Sequence, residues 1–382
     1  MEPIVIAGSA RTPMGGFQGA LREHMAPALG AAAIQAALDR SGLEPDSVDE
    51  VLMGCVLPAG QGQAPARQAA LAAGLPPATG CTTVNKMCGS GMKAVMLGHD
   101  LLRAGSARIV VAGGMESMSN APYLLPRHRP RMGHAHLLDH MFLDGLEDAY
   151  DKGRLMGTYA EDCAEAYQFT RQAQDEYALA SLARARAAIE NGGFAAEITP
   201  VAEAVEDEQP GRARPDKIPG LKPAFRKDGT VTAANSSSIS DGAAALVLTT
   251  ASEAERADLA PRAIIVGHAT HADIPARFPT APIGAIRALA ERIGWALDEV
   301  DLFEINEAFA VVTMAAMRDL HLPHEKVNIH GGACALGHPI GASGARILVT
   351  LLSALEQQNL RRGIAALCIG GGEATAVAVE RI

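Results

Sequence analysis

Cys88 lies in a glycine-rich turn that opens a predicted helix, and its thiol could act as a nucleophile. The stretch reads Val84-Asn-Lys-Met-Cys-Gly-Ser-Gly-Met-Lys-Ala94, and the helical pattern continues through Leu102. Unpaired N–H groups and the positive end of a helix dipole favour the thiolate form. Free cysteines are also among the most frequently buried residues, so this turn alone does not separate a nucleophile from a structural thiol.

A second glycine-rich stretch carries the histidine that could act as a base. It reads Gly331-Gly-Ala-Cys-Ala-Leu-Gly-His-Pro-Ile-Gly-Ala-Ser-Gly344. So many glycines are costly in a loop unless the backbone approaches a ligand or adopts a positive φ. Apart from the thiol of Cys334, His338 is the only group here that ionises near neutral pH. The glycine context therefore favours a catalytic histidine.

Two more candidate groups follow predicted strands. Cys368 stands before Ile-Gly-Gly-Gly at the end of one strand, and Asn306-Glu-Ala-Phe follows the strand Leu302 to Ile305. Cys368 could be a small core residue, and Asn306 could be an ordinary helix N-cap. Alternatively, Asn306 could orient a water or a histidine. Phe309 is expected to form a wall rather than to take part in chemistry.

The elements that must position these groups follow a βαβ order. A strand is predicted over Ile4 to Ala7, a helix over Ala26 to Arg40 ending before Gly42, and a strand over Val48 to Met53. This order implies a mostly parallel sheet covered by helices. Ligands in such sheets bind beyond the carboxyl ends of the strands, where the candidate residues stand.

The chain is an internal duplication, which predicts two similar α/β halves that share one site. An insertion, Pro122 to Thr230, separates them. The matching segments are Ala33–Gly42 with Ala285–Gly294, Val48-Asp49 with Val300-Asp301, Ser90-Gly91 with Ser343-Gly344, and Ile109–Gly114 with Ala366–Gly371.

Composition excludes several classes of function. The 382 residues carry a formal net charge of −10, which argues against nucleic-acid binding. Six cysteines without a C-x-x-C pair or metal-ligand spacing predict a reduced compartment and no metal site. No apolar stretch reaches membrane-spanning length and no signal peptide is evident, so we expect a cytoplasmic protein. The absence of P-loop and dinucleotide-binding fingerprints argues against nucleotide chemistry.

Taken together, these features resemble the thiolase family over essentially the whole chain. The resemblance implies an α/β fold with five αβαβα layers, built from two duplicated mixed-sheet halves and an inserted loop domain. The matching signatures are Asn85-Lys-Met-Cys-Gly-Ser-Gly, Val111-Ala-Gly-Gly-Met-Glu-Ser-Met118, Asn306-Glu-Ala-Phe, Gly337-His-Pro-Ile-Gly-Ala-Ser-Gly and Cys368-Ile-Gly-Gly-Gly.

The expected domains follow from this resemblance. Residues 1–121 form the first part of the N-terminal half, and residues 122–230 form the loop domain over the coenzyme A (CoA) site. Residues 231–265 complete the N-terminal half, and residues 266–382 form the C-terminal half. Family members resemble dimers or dimers of dimers, so a homo-oligomer, tetramer or dimer, is expected.

The resemblance also implies catalytic roles. Cys88 takes the acyl group as a thioester, and His338 removes its proton. Cys368 is the second acid and base at the substrate α-carbon. The backbone N–H groups of Cys88 and Gly370 form one oxyanion hole, and His338 with a water held by Asn306 forms the other.

The implied substrates are acetyl-CoA, acetoacetyl-CoA and CoA, with no cofactor and no metal. Ser237 matches a serine that contacts pantetheine, and Met156 and Phe309 match the pocket wall. Arg226 belongs to a basic run, Arg212 to Lys227, that is our physical candidate for the CoA phosphates. The alternative is that most of these basic residues belong to a solvent-exposed linker and do not bind CoA.

The implied reaction is the reversible Claisen condensation of two acetyl-CoA to acetoacetyl-CoA and CoA, as in the short-chain members. Leu155 stands where many acetoacetyl-forming members have histidine, which leaves a longer-chain 3-ketoacyl-CoA thiolase as the alternative. Ala374 replaces a frequent glycine near the oxyanion hole. A ketoacyl synthase is disfavoured because it has a histidine in place of Cys368. A non-catalytic CoA- or lipid-binding relative is disfavoured by the intact set of candidate residues.

Overall fold

The computed structural model describes residues 2–127 and 132–382 of the chain. The insertion predicted to start at Pro122 therefore includes four residues, 128–131, that lie outside the described residues. The strands are β1 Ile4–Arg11, β2 Gly15–Gly16, β3 Glu50–Gly54, β4 Gly80–Val84, β5 Ile109–Ser117, β6 Tyr123–Leu124, β7 Leu138–Asp139, β8 Ser240–Thr250, β9 Ala263–Ala272, β10 Leu302–Ile305, β11 Arg362–Ile369 and β12 Glu373–Arg381.

The helices alternate with these strands in both halves, as the βαβ order predicted. No helix in the described ranges is long and apolar enough to cross a bilayer. The helices are α1 Ala26–Ser41, α2 Pro65–Ala72, α3 Ser90–Arg103, α4 Met156–Tyr167, α5 Arg171–Glu190, α6 Glu208–Arg212, α7 Ala251–Arg256, α8 Ala281–Ile293, α9 Ala310–Leu320, α10 Ala333–Leu336 and α11 Ser343–Gln357.

The main sheet has ten strands and mixed direction. The mostly parallel sheet expected from the βαβ order is wrong, because antiparallel pairings predominate. The strand order is β10-β11-β12-β9-β1-β8-β5-β3-β4, with β2 paired to β8. In the first half, β3 pairs parallel with β4 and β5, whereas β8 pairs antiparallel with β5 and β1. The second half repeats this mixture. A short antiparallel pairing of Ile4–Ile6 with Ala263–Ile265 joins the two halves edge to edge.

Three apolar clusters define the five layers of the fold. The first packs α1 and α2 on one face of the first-half strands, and the second packs α8 and α9 on the second-half strands. The third encloses α3 and α11 between the two halves. Both faces of the central strands, such as β5, are therefore buried, with Val110 toward the centre and Val111 outward. The predicted αβαβα order is confirmed.

The duplicated helices end in the same way in both halves. Helix α1 ends at Gly42 with φ 75°, and α8 ends at Gly294 with φ 71°. Both glycines are in the left-handed region, which ends a helix at low steric cost only for glycine. The predicted stop of the first helix at Gly42 is confirmed.

The inserted segment is fixed to the first half through buried charge. Arg11, at the end of β1, donates to Asp207 at 2.7 and 2.9 Å and to Glu197 at 2.5 Å. All three side chains are buried, so each charge depends on the others for compensation. Within the insertion, the Glu161 carboxylate on helix α4 accepts the N–H of Val231 at 2.9 Å. These bonds hold the insertion against β1 and tie helix α4 to the segment that follows the insertion.

Candidate active site

One cavity brings together the candidate residues from both halves. Its volume is about 500 Å³. It opens among the loops that follow β4 and β11, on the side where the loop domain covers the sheet. The predicted site residues on its wall are Cys88, His338, Cys368, Gly370, Ser237, Met156 and Phe309.

The turn before α3 holds Cys88 in a constrained conformation. Met87 has φ 48°, which is rare and strained for a residue with a side chain. The hydroxyl of Ser90 accepts the N–H of Lys86 at 2.8 Å and donates to the carbonyl of Met87 at 2.6 Å. A Cβ at Gly89 would lie 2.4 Å from Ile369 Cδ1. This bracing presents the thiol to the cavity.

The thiol of Cys88 is neutral in the free site. Burial raises its pKa to about 11, although hydrogen bonds from the N–H groups of Gly370 and of Cys88 itself lower it. The turn therefore lowers the pKa of Cys88, as we predicted. This effect is smaller than the rise in pKa caused by the loss of solvation. A thiolate here requires a base that takes the proton as the substrate reacts.

His338 has the tautomer that a base needs. Its Nδ1 lies 2.5 Å from Ser343 Oγ, and the Ser343 hydroxyl donates to the Pro339 carbonyl at 2.9 Å. The serine oxygen therefore accepts an Nδ1–H, which assigns the lone pair to Nε2. Burial, together with the charge of Arg346, lowers the pKa of His338 to about 3, so the ring is neutral and able to accept a proton.

Asn306 lies against this imidazole. Its Nδ2 is 3.4 Å from Nε2 and 3.5 Å from Nδ1 of His338. Its buried Oδ1 has no hydrogen-bond partner among the described residues. Helix α9 begins at Ala310 with Phe309 at its N-cap, so the N-cap alternative for Asn306 is wrong. Asn306 does not itself line the cavity, and its observed contact with the site is the imidazole of His338.

Cys368 closes the cavity from the end of β11. Burial, followed by the nearby Cys88, raises its pKa well above the ordinary value, so it is a neutral proton donor. The backbone then turns through Gly371 and Gly372 at φ 95° and 87°. A Cβ at Gly370 would meet only Met156 Sδ, at 3.6 Å. The Cα of Gly370 therefore faces open space, while its N–H points at the sulfur of Cys88.

The central helices approach each other at paired glycines, which brings the two catalytic loops together. A Cβ at Gly344 would lie 2.4 Å from Met92 N, and one at Gly91 would lie 3.0 Å from Ala345 N. Only hydrogen at these positions permits the approach of α3 and α11. The duplicated Ser-Gly pairs of the sequence thus form the contact between α3 and α11.

The loop-domain candidates divide into two groups. Ser237 lines the cavity, although its N–H and hydroxyl both bond to the Ala308 carbonyl at 3.0 Å. Met156 also lines it, at the start of α4. Arg226 does not: it pairs with Asp162 and donates to the Thr158 carbonyl at 3.1 Å. Its role toward CoA phosphates stays a prediction.

Two buried residues that serve the site were not among the predicted ones. Ser343 sets the tautomer of His338. Glu116, inside the Ala-Gly-Gly-Met-Glu signature, accepts the N–H of Gly341 at 2.9 Å and therefore holds the histidine loop. The alignment of Ser343 with Ser90 in the duplication was the available signal for the first, and the family signature was the signal for the second.

Comparison with known proteins places this geometry in a family. The N-terminal domain of thiolase matches residues 4–252, and its C-terminal domain matches residues 259–381. Acetyl-CoA acetyltransferases of Pseudomonas aeruginosa and Cupriavidus necator are 47% and 48% identical to this chain, with 100% of each sequence covered. A mitochondrial acetyl-CoA acetyltransferase of Mus musculus is 46% identical over 100% of this chain and 92% of its own.

Solved structures agree with the sequence comparisons. A thiolase from Ascaris suum in complex with coenzyme A has a TM-score of 0.96 and 41% identity, with both chains covered fully. An acetyl-CoA acetyltransferase of Bacillus anthracis has a TM-score of 0.97 and 41% identity, over 100% of this chain and 99% of that chain. The five-layer fold is therefore shared in full.

Proposed function

This chain belongs to the thiolase family, and from that premise we propose how its site performs acyl transfer between CoA thioesters. The enzyme is an acyltransferase that condenses two acetyl-CoA to acetoacetyl-CoA and CoA, reversibly. The observation that carries this proposal is the convergence of Cys88, His338 and Cys368 on one cavity. The full-length relatives named acetyl-CoA acetyltransferase support the same substrate.

Acylation of Cys88 is the first half of the reaction. His338 Nε2 takes the thiol proton while the sulfur attacks the carbonyl carbon of acetyl-CoA. The N–H groups of Cys88 and Gly370, which already point at the sulfur, stabilise the oxyanion that forms. The C–S bond to CoA then breaks, and the leaving thiolate takes the proton of Cys368. The products are acetyl-Cys88, CoA, protonated His338 and the thiolate of Cys368.

Carbon–carbon bond formation is the second half. The Cys368 thiolate removes an α-proton from a second acetyl-CoA, and the enolate oxygen faces protonated His338 and Asn306. The enolate carbon attacks the acetyl group on Cys88, and acetoacetyl-CoA forms. The sulfur of Cys88 leaves and takes the proton from His338, so all three groups return to their starting states. The cycle needs no cofactor or metal.

The pKa directions suit this sequence of proton transfers. Burial raises the pKa of both thiols and lowers that of His338, so the resting site contains only neutral groups. Each charged state arises only when substrate fills the cavity and a partner of opposite charge is formed beside it. Such a site disfavours unproductive ionisation of the sulfurs in the absence of substrate.

Trapping of the acyl-enzyme tests the nucleophile. Incubation with radiolabelled acetyl-CoA followed by acid quenching should leave one acetyl group on wild-type protein and none on Cys88→Ala. Cys81→Ala is a matched control, because Cys81 lies outside the cavity and should not affect the label. Full labelling of Cys88→Ala would overturn the assignment of the nucleophile.

A second candidate, a thiolase for longer 3-ketoacyl-CoA, is favoured by one observation. A neighbouring cavity of about 710 Å³ shares Gly145, Met156 and Gly370 with the catalytic cavity, and gives an acyl chain room. A series of kcat/KM values for thiolytic cleavage, from acetoacetyl-CoA to long 3-ketoacyl-CoA, decides between the two. We expect the maximum at the four-carbon substrate, and a maximum at long chains would replace the first candidate by the second.

We also propose that the enzyme is a cytoplasmic homotetramer, or a dimer, of lipid metabolism. Its cysteines are all free, which suits a reduced compartment. The relative of Mus musculus carries a mitochondrial name, so cell fractionation is the test of compartment. Light scattering of the purified chain gives the number of subunits, and a monomer would contradict the proposed assembly.

A further inference from the structure

Two histidines and an aspartate from different halves meet at the surface end of the central layer. His99 and Asp100 lie on α3, and His268 lies on β9. None of the three lines the catalytic cavity. His99 follows the first residue of α3 by nine positions, or about 14 Å along the helix axis. The cluster is therefore separate from the thiolase chemistry.

The distances within this cluster suit a tetrahedral metal ion. His99 Nδ1 is 3.1 Å and His268 Nε2 is 2.9 Å from the same Asp100 oxygen, and the three potential ligand atoms lie within 4.8 Å of one another. Zinc–ligand bonds of about 2.0–2.1 Å require ligand atoms about 3.3 Å apart. Small rotations of the side chains would bring all three to that spacing.

A nearby positive charge opposes a cation at this cluster. Arg103 lies one turn along α3 and acts on His99. An ion must therefore gain enough from three ligands to offset that repulsion.

We propose that His99, Asp100 and His268 bind a divalent transition metal of the Zn²⁺ class, with a fourth position open to solvent. Asp100 is the exposed member, with 54% of its side chain accessible, whereas the two histidine side chains are 10% and 14% accessible. Two imidazoles and one carboxylate form a recognised donor set for this class of ion. The metal would cross-link α3 of the first half to β9 of the second.

The sequence alone could not show this site. The residues have no metal-motif spacing, because His268 follows Asp100 by 168 positions, and only the meeting of the two halves brings them together. Without a metal, the same atoms form a hydrogen-bonded cluster in which Asp100 accepts from both rings. The metal-bound and metal-free clusters differ in whether an added ion replaces the proton that each imidazole donates to Asp100.

Cobalt(II) absorption tests the site on the full-length enzyme, because Co²⁺ occupies Zn²⁺ sites and its visible spectrum reports coordination by four ligands. We expect one equivalent to bind without a thiolate charge-transfer band, which separates this site from Cys88 and Cys368. Asp100→Asn and His268→Gln should each weaken binding by about tenfold or more. His271→Gln, on the same strand outside the cluster, should bind like the wild type.

Zn²⁺ gives a second measurement through thermal stability. At about 100 times its dissociation constant, Zn²⁺ should raise the wild-type Tm by about 3 °C, and at the same concentration Asp100→Asn should show about half of that rise or less. The exposed position of Asp100 makes this variant safe for folding. Absence of stoichiometric binding, or equal binding by Asp100→Asn, His268→Gln and wild type, would overturn the metal site and leave a hydrogen-bonded cluster.

Discussion

Glu116 of the first half accepts the backbone N–H of Gly341 of the second half at 2.9 Å. Gly341 follows His338 by three residues, so this bond crosses from one half to the loop that carries the catalytic base. The same carboxylate accepts the N–H groups of Val56 and Leu57 at 3.0 and 3.1 Å. The histidine loop is thus positioned by a side chain from the other half.

Replacement of Glu116 by glutamine should lower kcat with little change in KM. Glutamine keeps the shape but has one acceptor oxygen, so at least one of the three N–H groups loses its partner. A shift of His338 by a fraction of an ångström would cost about 10- to 100-fold in rate. Steady-state kinetics of acetoacetyl-CoA cleavage measure this. An unchanged kcat would show that one acceptor oxygen is enough to hold the loop, since Gly341 and Val56 both donate to Oε2 of Glu116.

The kcat of the wild-type enzyme should depend on pH through the ionisation of Glu116. Burial raises the pKa of Glu116 to about 7, although the N–H groups that it accepts act in the opposite direction. As pH falls through about 7, one acceptor oxygen becomes an O–H and kcat should fall. His338 cannot cause this limb, because burial lowers its pKa to about 3. Glu116→Gln should have a flat kcat in this range, and persistence of the limb would assign it elsewhere.

The free energy of unfolding should depend on the protonation of Glu116 in the direction opposite to kcat, so that the fold is more stable at lower pH. The pKa of Glu116 in the folded chain lies above the ordinary value of 4.5, so the folded state binds this proton more tightly. The stabilisation from this proton is fully present below pH 4.5 and is lost as the pH rises through about 7. Urea denaturation from about pH 5 to 8 should show a decline that Glu116→Gln lacks. Parallel pH profiles for the two proteins would contradict the raised pKa.

Ser343→Ala should slow acylation by removing the acceptor that sets the tautomer of His338. The proton can then occupy either ring nitrogen, and the form with a free Nε2 is no longer selected. We expect a loss of about 10- to 100-fold in the rate of acetyl-enzyme formation, within the range of general-base catalysis. Rapid-quench measurement of labelled acetyl-enzyme gives this rate.

A matched control for that variant lies on the same helix. Ser353 is buried on α11, and its Oγ has no hydrogen-bond partner among the described residues. Ser353→Ala should therefore acylate at the wild-type rate. If both serine variants slow acylation equally, the effect belongs to the packing of α11 and not to the histidine tautomer.

The meeting of Cys88, His338 and Cys368 in one cavity could be predicted because glycine marks each of their loops in the sequence. Cys88, His338 and Cys368 all stand beside glycines that a packed core does not need. Glu116 and Ser343 also stand near glycines, Gly114 and Gly344. Their partners do not show in the sequence, because these are a backbone N–H 225 residues away and a ring nitrogen. Side-chain partners of this kind depend on how the halves meet, which the local pattern does not contain.

The two similar halves could be predicted from the duplication and the five layers from the family resemblance, whereas the electrostatics of the site could not be predicted. The helix-start position of Cys88 suggested a lowered pKa, but burial in the cavity between halves raises it. The left-handed backbone of Met87 was equally hidden, because a residue other than glycine at positive φ leaves no mark in composition. Arg226 was assigned to CoA by charge alone, and its pairing with Asp162 became visible only in the structure.

Gly114→Ala should displace the histidine loop directly. A Cβ at Gly114 would lie 2.0 Å from the carbonyl oxygen of Gly341, and the backbone there has no flexible side chain to move aside. We expect a loss of about 1–3 kcal/mol in unfolding free energy, together with a fall in kcat that exceeds any change in KM. Gly220→Ala is the control, because its Cβ would meet nothing within 4 Å and should change stability by less than about 0.5 kcal/mol. Urea denaturation and steady-state kinetics on both variants measure these effects. Wild-type stability and activity in Gly114→Ala would mean that the loop can retreat without cost.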